Sequence, residues 1–243
     1  MKVRILTIFP GLVESFLSNG IIERAKREKR LEIEVINLRD YVKNRHKAVD
    51  DYPYGGGAGM VMGPEAFFTF FQKNKDGGKV IYPSPQGRVF SHEMAKELSK
   101  EKSLTLICGH YEGIDERVID QFVDVEISIG DFVVSGGELP SLLILDSILR
   151  LVDGVINRES AEDDSFGDGI LDSPCYTRPR EIEGEGVPEV LLGGNHKNIG
   201  EWRKRSKLLG TAFKRPDLLK NLDDDEKKLL RDEILEVLSE IEK

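Results

Sequence analysis

The 243-residue chain is long enough for one large domain or for a medium domain with a small one, and its 39% hydrophobic content can form a core. A net charge of -9 and a pI near 5.2 argue against a general nucleic-acid binder, which is usually basic. The sequence has no apolar run of membrane length, and Cys108 and Cys175 lack metal-ligand spacing, so we expect a soluble, cytoplasmic protein with reduced thiols and no membrane partner.

The first forty residues predict strand, helix and strand in turn. Residues 2–8 and 31–38 are apolar and β-branched runs, and residues 12–30 between them have a helical pattern with a basic end. A strand–helix–strand order is typical of a parallel sheet, so the fold class is α/β.

The middle of the chain carries helix start signals. Pro64 predicts a helix through residue 71, and Ser91 is a candidate N-cap for a helix over residues 92–102. Pro140 predicts a further helix with a broad apolar face. That face consists of Leu142, Leu143, Leu145, Ile148, Leu149 and Val152.

Three glycine-bearing segments each close a strand-like run. They are Y-P-S-P-Q-G (82–87), C-G-H-Y-E-G-I-D-E-R (108–117) and S-I-G-D-F-V-V-S-G-G-E-L-P (128–140), after strands predicted over 79–81, 104–107 and 123–127. Ligands of α/β sheets bind beyond the carboxyl ends of the strands, and glycine allows a close approach of backbone to ligand. We therefore expect the three segments to line one pocket for a small ligand.

The chain changes character after Val152. Residues 157–172 are acidic and lack helical or strand periodicity, which predicts a linker. Residues 194–215 carry seven Lys or Arg against one acid, and Asp223 with Glu226 predicts a capping box for a last helix. Its predicted buried stripe is Leu229, Leu230, Ile234, Leu235, Leu238 and Ile241. We divide the chain into an α/β domain (1–158), a flexible acidic linker (159–175) and a helical domain (176–243).

For several polar clusters, residue chemistry alone leaves both a functional and a structural interpretation open. The run P-Y-G-G-G-A-G-M (53–60) is either a phosphate cradle or a mobile loop, and it matches neither common nucleotide-binding glycine motif. The acids of 110–117 are either metal ligands or the first turn of a helix beginning near Asp115, with no standard metal spacing. The acidic linker is either a source of a general base or a solvated loop, and Arg150 is either near the pocket or a surface residue.

Eight motifs occur in the order found in one family. They are I-F-P (8–10), H-K-A-V-D-D-Y-P-Y-G-G-G-A-G-M (46–60), V-I-Y-P-S-P-Q-G-R (80–88), the segments 108–117 and 128–140, S-A-E-D-D-S-F (160–166), L-D-S-P-x-Y-T-R-P (171–179) and W-R-x-x-x-S (202–206). Through them the chain resembles the bacterial tRNA (guanine-N1)-methyltransferases nearly from end to end. Any one motif is modest, but eight in this order are highly specific.

The resemblance implies a fold that the residue pattern does not indicate. Members of this family are SPOUT methyltransferases with a deep trefoil knot in the α/β domain, a rare exception to ordinary chain topology. The knot would hold S-adenosyl-methionine in a bent form, and the enzyme would be a homodimer with active sites at the subunit interface. The implied cofactor-binding residues are Pro83, Ser84, Pro85, Gly109, Tyr111, Glu112, Gly113, Ile129, Gly130, Asp131, Phe132, Val133, Val134, Gly136, Gly137, Leu139 and Pro140.

The implied reaction transfers a methyl group to N1 of the guanosine 3′ of the anticodon in tRNA. By alignment Asp164 is the general base and Arg150 stabilises charge on the guanine O6. The family also implies magnesium, although no ligand set is evident, and the basic stretch 203–215 would hold tRNA phosphates. The chain departs from the family pattern at Pro83, where leucine is common, and at His110, where arginine is common.

Three alternative functions remain open at this point. The chain could be a related knotted methyltransferase with another RNA target, a non-catalytic RNA-binding protein, or an unrelated nucleotide-binding enzyme. The retention of both Asp164 and Arg150 argues against the second, and the missing phosphate motifs argue against the third.

Overall fold

The computed structural model describes residues 1–74, 78–155 and 164–241. The chain separates into two compact units, Met1–Arg158 and Glu159–Lys243. Each unit has a hydrophobic core of its own.

A parallel sheet is the framework of the first unit. Its strands in chain order are β1 (Lys2–Thr7), β2 (Glu32–Asn37), β3 (Asp50–Asp51), β4 (Val61–Met62), β5 (Lys79–Val89), β6 (Ser103–Ile107) and β7 (Val125–Ser128). Five of the described strands form one sheet in the order β2-β1-β6-β5-β7, in which every neighbouring pair is parallel. Strands β3 and β4 form a separate antiparallel pair. The predicted α/β class with a parallel sheet is confirmed.

The central strands are apolar on both faces because helices cover both sides of the sheet. Leu104, Leu106 and Ile107 in β6 are fully buried, as are Val3 and Ile5 in β1. A parallel sheet with both faces covered produces such near-continuous apolar runs. This is why the predicted strand positions agree with the structure to within one or two residues here.

Strand β5 differs from its prediction. Residues 82–87 were expected to form a loop after a three-residue strand, yet β5 continues to Val89. Ile127 of β7 pairs with both Pro83 and Arg88, so the chain bulges outward between these two partners. Pro83 and Pro85 have no N–H to donate to the ladder, and the bulge accommodates them.

Helices connect the strands of the first unit. They are α1 (Pro10–Leu17), α2 (Gly20–Arg27), α3 (Glu65–Lys73), α4 (His92–Leu98), α5 (Glu116–Phe122) and α6 (Glu138–Leu149). The single helix predicted over 12–30 is wrong, because Gly20 has a φ of +64° and separates α1 from α2. Positive φ is the conformation in which glycine commonly ends a helix.

The predicted helix caps agree more closely. Ser91 Oγ accepts a hydrogen bond from Met94 N at 3.3 Å at the start of α4, although this helix ends at Leu98 rather than at residue 102. Asp115 caps α5 by accepting from Arg117 N at 3.0 Å. Helix α6 begins at Glu138, two residues before the predicted Pro140.

One exposed surface of the first unit is unusually apolar. Helices α1 and α6 are adjacent, and Leu12 and Phe16 of α1 and Leu139 and Leu143 of α6 are all more than 40% exposed. Leu143, a member of the apolar face predicted for this helix, is thus exposed, whereas its neighbours Leu142 and Ile144 take the buried positions.

Short strands and helices form the second unit. They are β8 (Glu181–Ile182), β9 (Glu185–Gly186), α7 (Glu189–Leu192), α8 (His196–Lys214) and α9 (Asp224–Ile241). Its core consists of Ile170, Leu208, Leu222 and Leu230. The capping box is confirmed, because Asp223 N donates to Glu226 Oε2 at 3.2 Å and Glu226 N donates to Asp223 Oδ1 at 2.8 Å.

The predicted stripe of α9 is only partly buried. Leu230 is buried, but Leu235 and Leu238 are 58% and 51% exposed. The small core is contacted by Leu229, Leu230 and Ile234 of this helix, whereas Leu235 and Leu238 face outward.

The predicted linker lies partly outside the described residues. Its first residues, 159–163, are not described, and residues 164–175 form turns and bends without a helix or strand. Its flexibility stays a prediction. In the three described ranges, no helix is both long and apolar enough to cross a membrane.

Candidate active site

One cavity of about 420 Å³ in the first unit is lined by all three glycine segments. The segments come together because β6, β5 and β7 are neighbouring parallel strands, so their carboxyl ends share one edge of the sheet. The predicted convergence of segments 82–87, 108–117 and 128–140 is therefore confirmed as geometry.

Most residues expected at the cofactor site line this cavity. Only Asp131 and Leu139 of the expected set are not among its lining residues, and both are exposed. The expected residues that do line it are Pro83, Ser84, Pro85, Gly109, Tyr111, Glu112, Gly113, Ile129, Gly130, Phe132, Val133, Val134, Gly136, Gly137 and Pro140.

Two glycines in the cavity wall allow main chain to touch main chain. Gly137 N donates to Gly109 O at 2.7 Å, and a Cβ on Gly137 would lie 2.6 Å from Gly109 N. No real Cβ approaches a backbone atom so closely, so only glycine fits at residue 137. The adjacent Gly136 is equally restricted, because a Cβ there would overlap the ring of His110.

Tyr82 is a wall residue that the sequence did not single out. Its hydroxyl would lie 2.9 Å from a Cβ on Gly109, so the ring fills the space that Gly109 leaves open. Burial raises the pKa of the Tyr82 phenol, with a smaller contribution from the negative charge of Glu126. The phenol therefore stays protonated at neutral pH. The other lining residues absent from the expected cofactor set are Gln86, His110, Ile114, Glu116, Ile119, Ile127, Ser128 and Ser135, and of these only Ile119 and Ile127 lie outside the three predicted segments.

A buried polar network supports the cavity from behind. Glu138, which is 3% exposed, accepts a hydrogen bond from Thr7 Oγ1 at 2.5 Å, and its other oxygen lies 2.6 Å from His110 Nε2. Thr7 Oγ1 in turn accepts from Phe9 N at 2.9 Å, and the Phe9 ring meets the His110 ring edge-on. The network joins the ends of β1 and β6 to the start of α6. No motif signalled it, because Thr7 and Glu138 are 131 residues apart.

The glycine-rich run 53–60 lies at the rim of the cavity. Glu112 N donates to Met60 O at 3.0 Å, and Val61 forms a bridge with Tyr111. A Cβ on Gly59 would overlap the side chain of Glu112. The run is therefore anchored at its carboxyl end to the second glycine segment, while Tyr54 is fully exposed.

The two expected catalytic residues belong to different units. Arg150 follows α6 in the first unit, as its C-cap, and its N–H donates to Asp146 O at 3.1 Å. Asp164 lies in the second unit, where its carbonyl accepts from Gly167 N at 3.0 Å. Each is described within its own unit, and their catalytic roles remain predictions.

One acid of segment 108–117, Asp115, has structural partners within its own helix. Asp115 caps α5 and also forms two side-chain hydrogen bonds with Arg117, at 2.8 and 2.6 Å. Arg117 lowers the pKa of Asp115 below its ordinary value. Among the described residues, no group of three His, Cys, Asp or Glu side chains could hold a metal ion.

The basic stretch of the second unit is partly neutralised. Arg205 Nη1 lies 2.8 Å from Glu233 Oε1, and Lys207 Nζ lies 3.2 Å from Asp168 Oδ2. Arg215 pairs with Asp217 at 2.7 Å. These three cations are therefore less available to external phosphates than the sequence suggested. Arg203, Lys204 and Lys214 are exposed on α8.

The fold and cavity define a class of protein. A parallel α/β sheet carries a pocket at the carboxyl ends of its strands, walled by main chain and apolar side chains, without a nucleotide-phosphate motif. These features are typical of an α/β domain that binds a small organic ligand at the carboxyl ends of its strands.

Comparison with known proteins assigns the family. The family model described as tRNA (Guanine-1)-methyltransferase TrmD matches residues 1–221, and the chain belongs to that family. Curated relatives named tRNA (guanine-N(1)-)-methyltransferase match over almost their whole length. The protein from Fusobacterium nucleatum is 53% identical over 96% of this chain and 98% of its own. That from Clostridium perfringens strain 13 is 52% identical over 95% and 99%, and that from Thermosipho africanus 50% identical over 99% and 100%.

Proposed function

We propose that this chain methylates N1 of the guanosine 3′ of the anticodon in tRNA, with S-adenosyl-methionine bound in the cavity of the first unit. Methylation of guanine N1 in tRNA is the activity of its family, and the identity to named relatives is near 50% over almost the whole chain. The target position and the methyl donor are the finer parts of the proposal.

The observation that carries the proposal is the shared cavity. Residues assigned to a cofactor site by resemblance alone, from three separate segments, line one space of about 420 Å³. Small-molecule sites have volumes of a few hundred Å³ with apolar walls and a few directed polar groups. The cavity has both components, with Ile129 and Phe132 as apolar walls and Ser84 and Glu112 as polar lining.

The cavity residues suit S-adenosyl-methionine chemically. The glycines at 109, 130 and 137 let the main chain approach a ligand closely, and the apolar lining residues can cover the faces of its adenine. When bound, this cofactor supplies a methyl group on a positively charged sulfur. The lining residues would hold and orient it, and such positioning supplies much of the rate of a transfer between two bound groups.

The remaining chemistry concerns the guanine. Asp164 would accept the N1 proton, because an aspartate is ionised at neutral pH. Loss of that proton leaves negative charge on O6, which the Arg150 guanidinium would stabilise.

The exposed apolar surface supports a homodimer. The side chains of Leu12, Phe16, Leu139 and Leu143 on adjacent helices resemble an interface more than a solvated face. A second copy would cover this surface, and its Asp164 would complete the site, as the family implies. The deep trefoil knot is proposed because the family implies it. The tight main-chain contact between Gly137 and Gly109 would suit two chain segments that cross closely in such a knot.

Three further parts of the proposal follow from the tRNA substrate. The exposed cations of α8, such as Arg203 and Lys204, would hold phosphates. Magnesium would act with the RNA, since the described residues hold no acid cluster of their own for it. A tRNA substrate also favours a cytoplasmic location.

The test is methyl transfer from labelled S-adenosyl-methionine to two tRNA transcripts, one with guanosine and one with adenosine 3′ of the anticodon. Label on the guanosine transcript alone is expected. Equal label on both would leave a methyltransferase with another target. No label on either, with cofactor bound, would contradict the proposed reaction and favour an RNA-binding protein.

A further inference from the structure

Two sequence motifs without a role in the proposed reaction meet in the second unit. The segment L-D-S-P-x-Y-T-R-P (171–179) packs against the start of α8, which carries W-R-x-x-x-S (202–206). Between them lies a cavity of about 640 Å³. It is lined only by described residues of the second unit, so it is separate from the glycine-walled cavity.

Aromatic rings form one side of this second cavity. The rings of Tyr176 and Trp202 have centroids 6.2 Å apart and are tilted by 59°. Tyr176 is 49% exposed, although an aromatic ring of this size usually gains from burial. Exposed aromatic faces are the surface on which proteins stack unpaired nucleobases.

The acidic side chains at this cavity already have partners within the protein. The acids Asp168 and Asp172 are both occupied by Lys207, whose Nζ lies 3.2 and 3.6 Å from their oxygens. Glu226 accepts a hydrogen bond from the Asp223 N–H in the capping box of α9.

Arg203 and Lys204 line the same cavity and are exposed. Within the described ranges, no acid forms an ion pair with either of them. Lys197 precedes Lys204 by two helical turns, so it lies on the same face of α8. The cavity therefore combines aromatic faces with a positive edge.

We propose that this cavity binds one unstacked nucleotide of the RNA substrate. The base would stack on the exposed ring of Tyr176 with Trp202 beside it, and its phosphate would contact Arg203 and Lys204. The proposal rests on tRNA being the substrate, and it adds a specific nucleotide site to the general phosphate contacts of α8. A base held here would fix the RNA relative to the second unit, in addition to the contact at the target guanine.

Trp202 is the only tryptophan of the chain, so intrinsic tryptophan fluorescence reports on this cavity alone. Full-length protein is titrated with unmodified tRNA transcript and, in a second arm, with nucleoside monophosphates. We expect tRNA to quench Trp202 emission and monophosphates to compete only at much higher concentration. Quenching by monophosphates but not by tRNA would indicate a site for free nucleotides and overturn the proposal. A Trp202 emission per molecule that changes with protein concentration and not with tRNA would indicate that the cavity lies at a subunit contact. That result would also overturn the proposal.

Substitutions separate stacking from folding. Tyr176→Ala should weaken tRNA binding about tenfold, the loss expected for one base–aromatic stacking contact, while the cofactor affinity stays unchanged. Tyr176→Phe keeps the ring and should bind like the wild type. Equal tRNA affinity of Tyr176→Ala and wild type would contradict the site. Methylation by the wild type is measured in the same samples, so loss of the proposed reaction is distinguishable from loss of this site.

Cys175 gives a second readout at the same cavity. Its thiol is exposed and lines the cavity, while Cys108 is buried. Bound tRNA should slow thiol labelling of Cys175, and the protection should weaken in Tyr176→Ala. An unchanged labelling rate with tRNA at saturation would oppose the proposal independently of fluorescence.

Discussion

The His110 ring and the buried carboxylate of Glu138 are joined by a 2.6 Å contact behind the glycine-walled cavity. The other oxygen of Glu138 is bonded to Thr7, so the carboxylate is satisfied on both sides. Because the three residues come from different segments, the contact sets the spacing between the second and third glycine segments.

We expect Glu138→Gln to lower the free energy of unfolding by about 1–3 kcal/mol. The two oxygens of Glu138 contact Thr7 and His110, and the amide of Gln replaces one of these oxygens by an NH₂ group. Cofactor affinity should fall with it, since the loops it connects line the cavity. Urea denaturation and calorimetry measure the two effects. Glu97→Gln, an exposed position on α4, is the matched control and should change neither. An unaltered unfolding energy in Glu138→Gln would show that the network is not structural.

Gly137→Ala should destabilise the first unit by about 1–3 kcal/mol, the usual cost of forcing a methyl group into a filled site. The added Cβ meets the backbone of Gly109 and Cys108, which cannot rotate away. Thermal unfolding measures the change. Gly210→Ala serves as control, because a Cβ there has no atom within 4 Å. If both variants unfold alike, main-chain contact at residue 137 is not tight in solution.

Asp164→Ala should reduce kcat by about 100-fold or more while leaving cofactor binding intact, since general-base catalysis contributes about 10²–10⁴. The residue is expected to act on the RNA and not on the cofactor. Single-turnover methylation and cofactor calorimetry test the two parts. Wild-type turnover in this variant would remove Asp164 from the mechanism. Asp168→Ala, which removes a nearby acid in the same segment, is the comparison.

Mixtures of two inactive variants should regain activity if each site draws residues from both subunits. Asp164→Ala lacks the proposed base, and Gly136→Arg obstructs the cofactor cavity at the His110 ring. A mixed dimer would contain one intact site. Methylation is measured after the two variants are unfolded and refolded together. Activity that never exceeds the sum of the separate variants would place both residues in one chain.

The two cysteines should differ sharply in reactivity. Burial raises the pKa of the Cys108 thiol far above its ordinary value, so the reactive thiolate is absent near pH 8. Cys175 is exposed. A thiol reagent should therefore modify one cysteine in the native protein and both after unfolding. Rapid native labelling of Cys108 would mean that the first core opens readily.

The sequence predicted the sheet because its signals are local. Apolar runs such as 104–107 indicate strands directly, and Ser91 and Asp223 mark helix starts by their own side-chain chemistry. It failed where a distant residue decides the outcome. The bulge in β5 depends on β7, and the exposure of Leu235 depends on the size of a core formed elsewhere.

Only part of the cavity wall could be predicted from the sequence, because only its local signals are visible there. The glycine segments converge because neighbouring parallel strands must end together. Tyr82 and Glu138 were missed, because each matters through a partner far along the chain. The pairing of Lys207 with Asp168 was likewise absent from any local pattern, and it reduces the charge that composition assigned to α8.

Five of the residues that line the cavity of the first unit are glycines, at 109, 113, 130, 136 and 137. An inhibitor that packs against the main chain at these positions would depend little on side-chain identity. Resistance usually arises when a substitution changes a side chain in contact with the drug, and here a side chain at Gly136 or Gly137 would overlap the His110 ring or the backbone of Gly109. Compounds directed at this part of the wall would therefore leave a target organism few single substitutions that block binding and still preserve the enzyme.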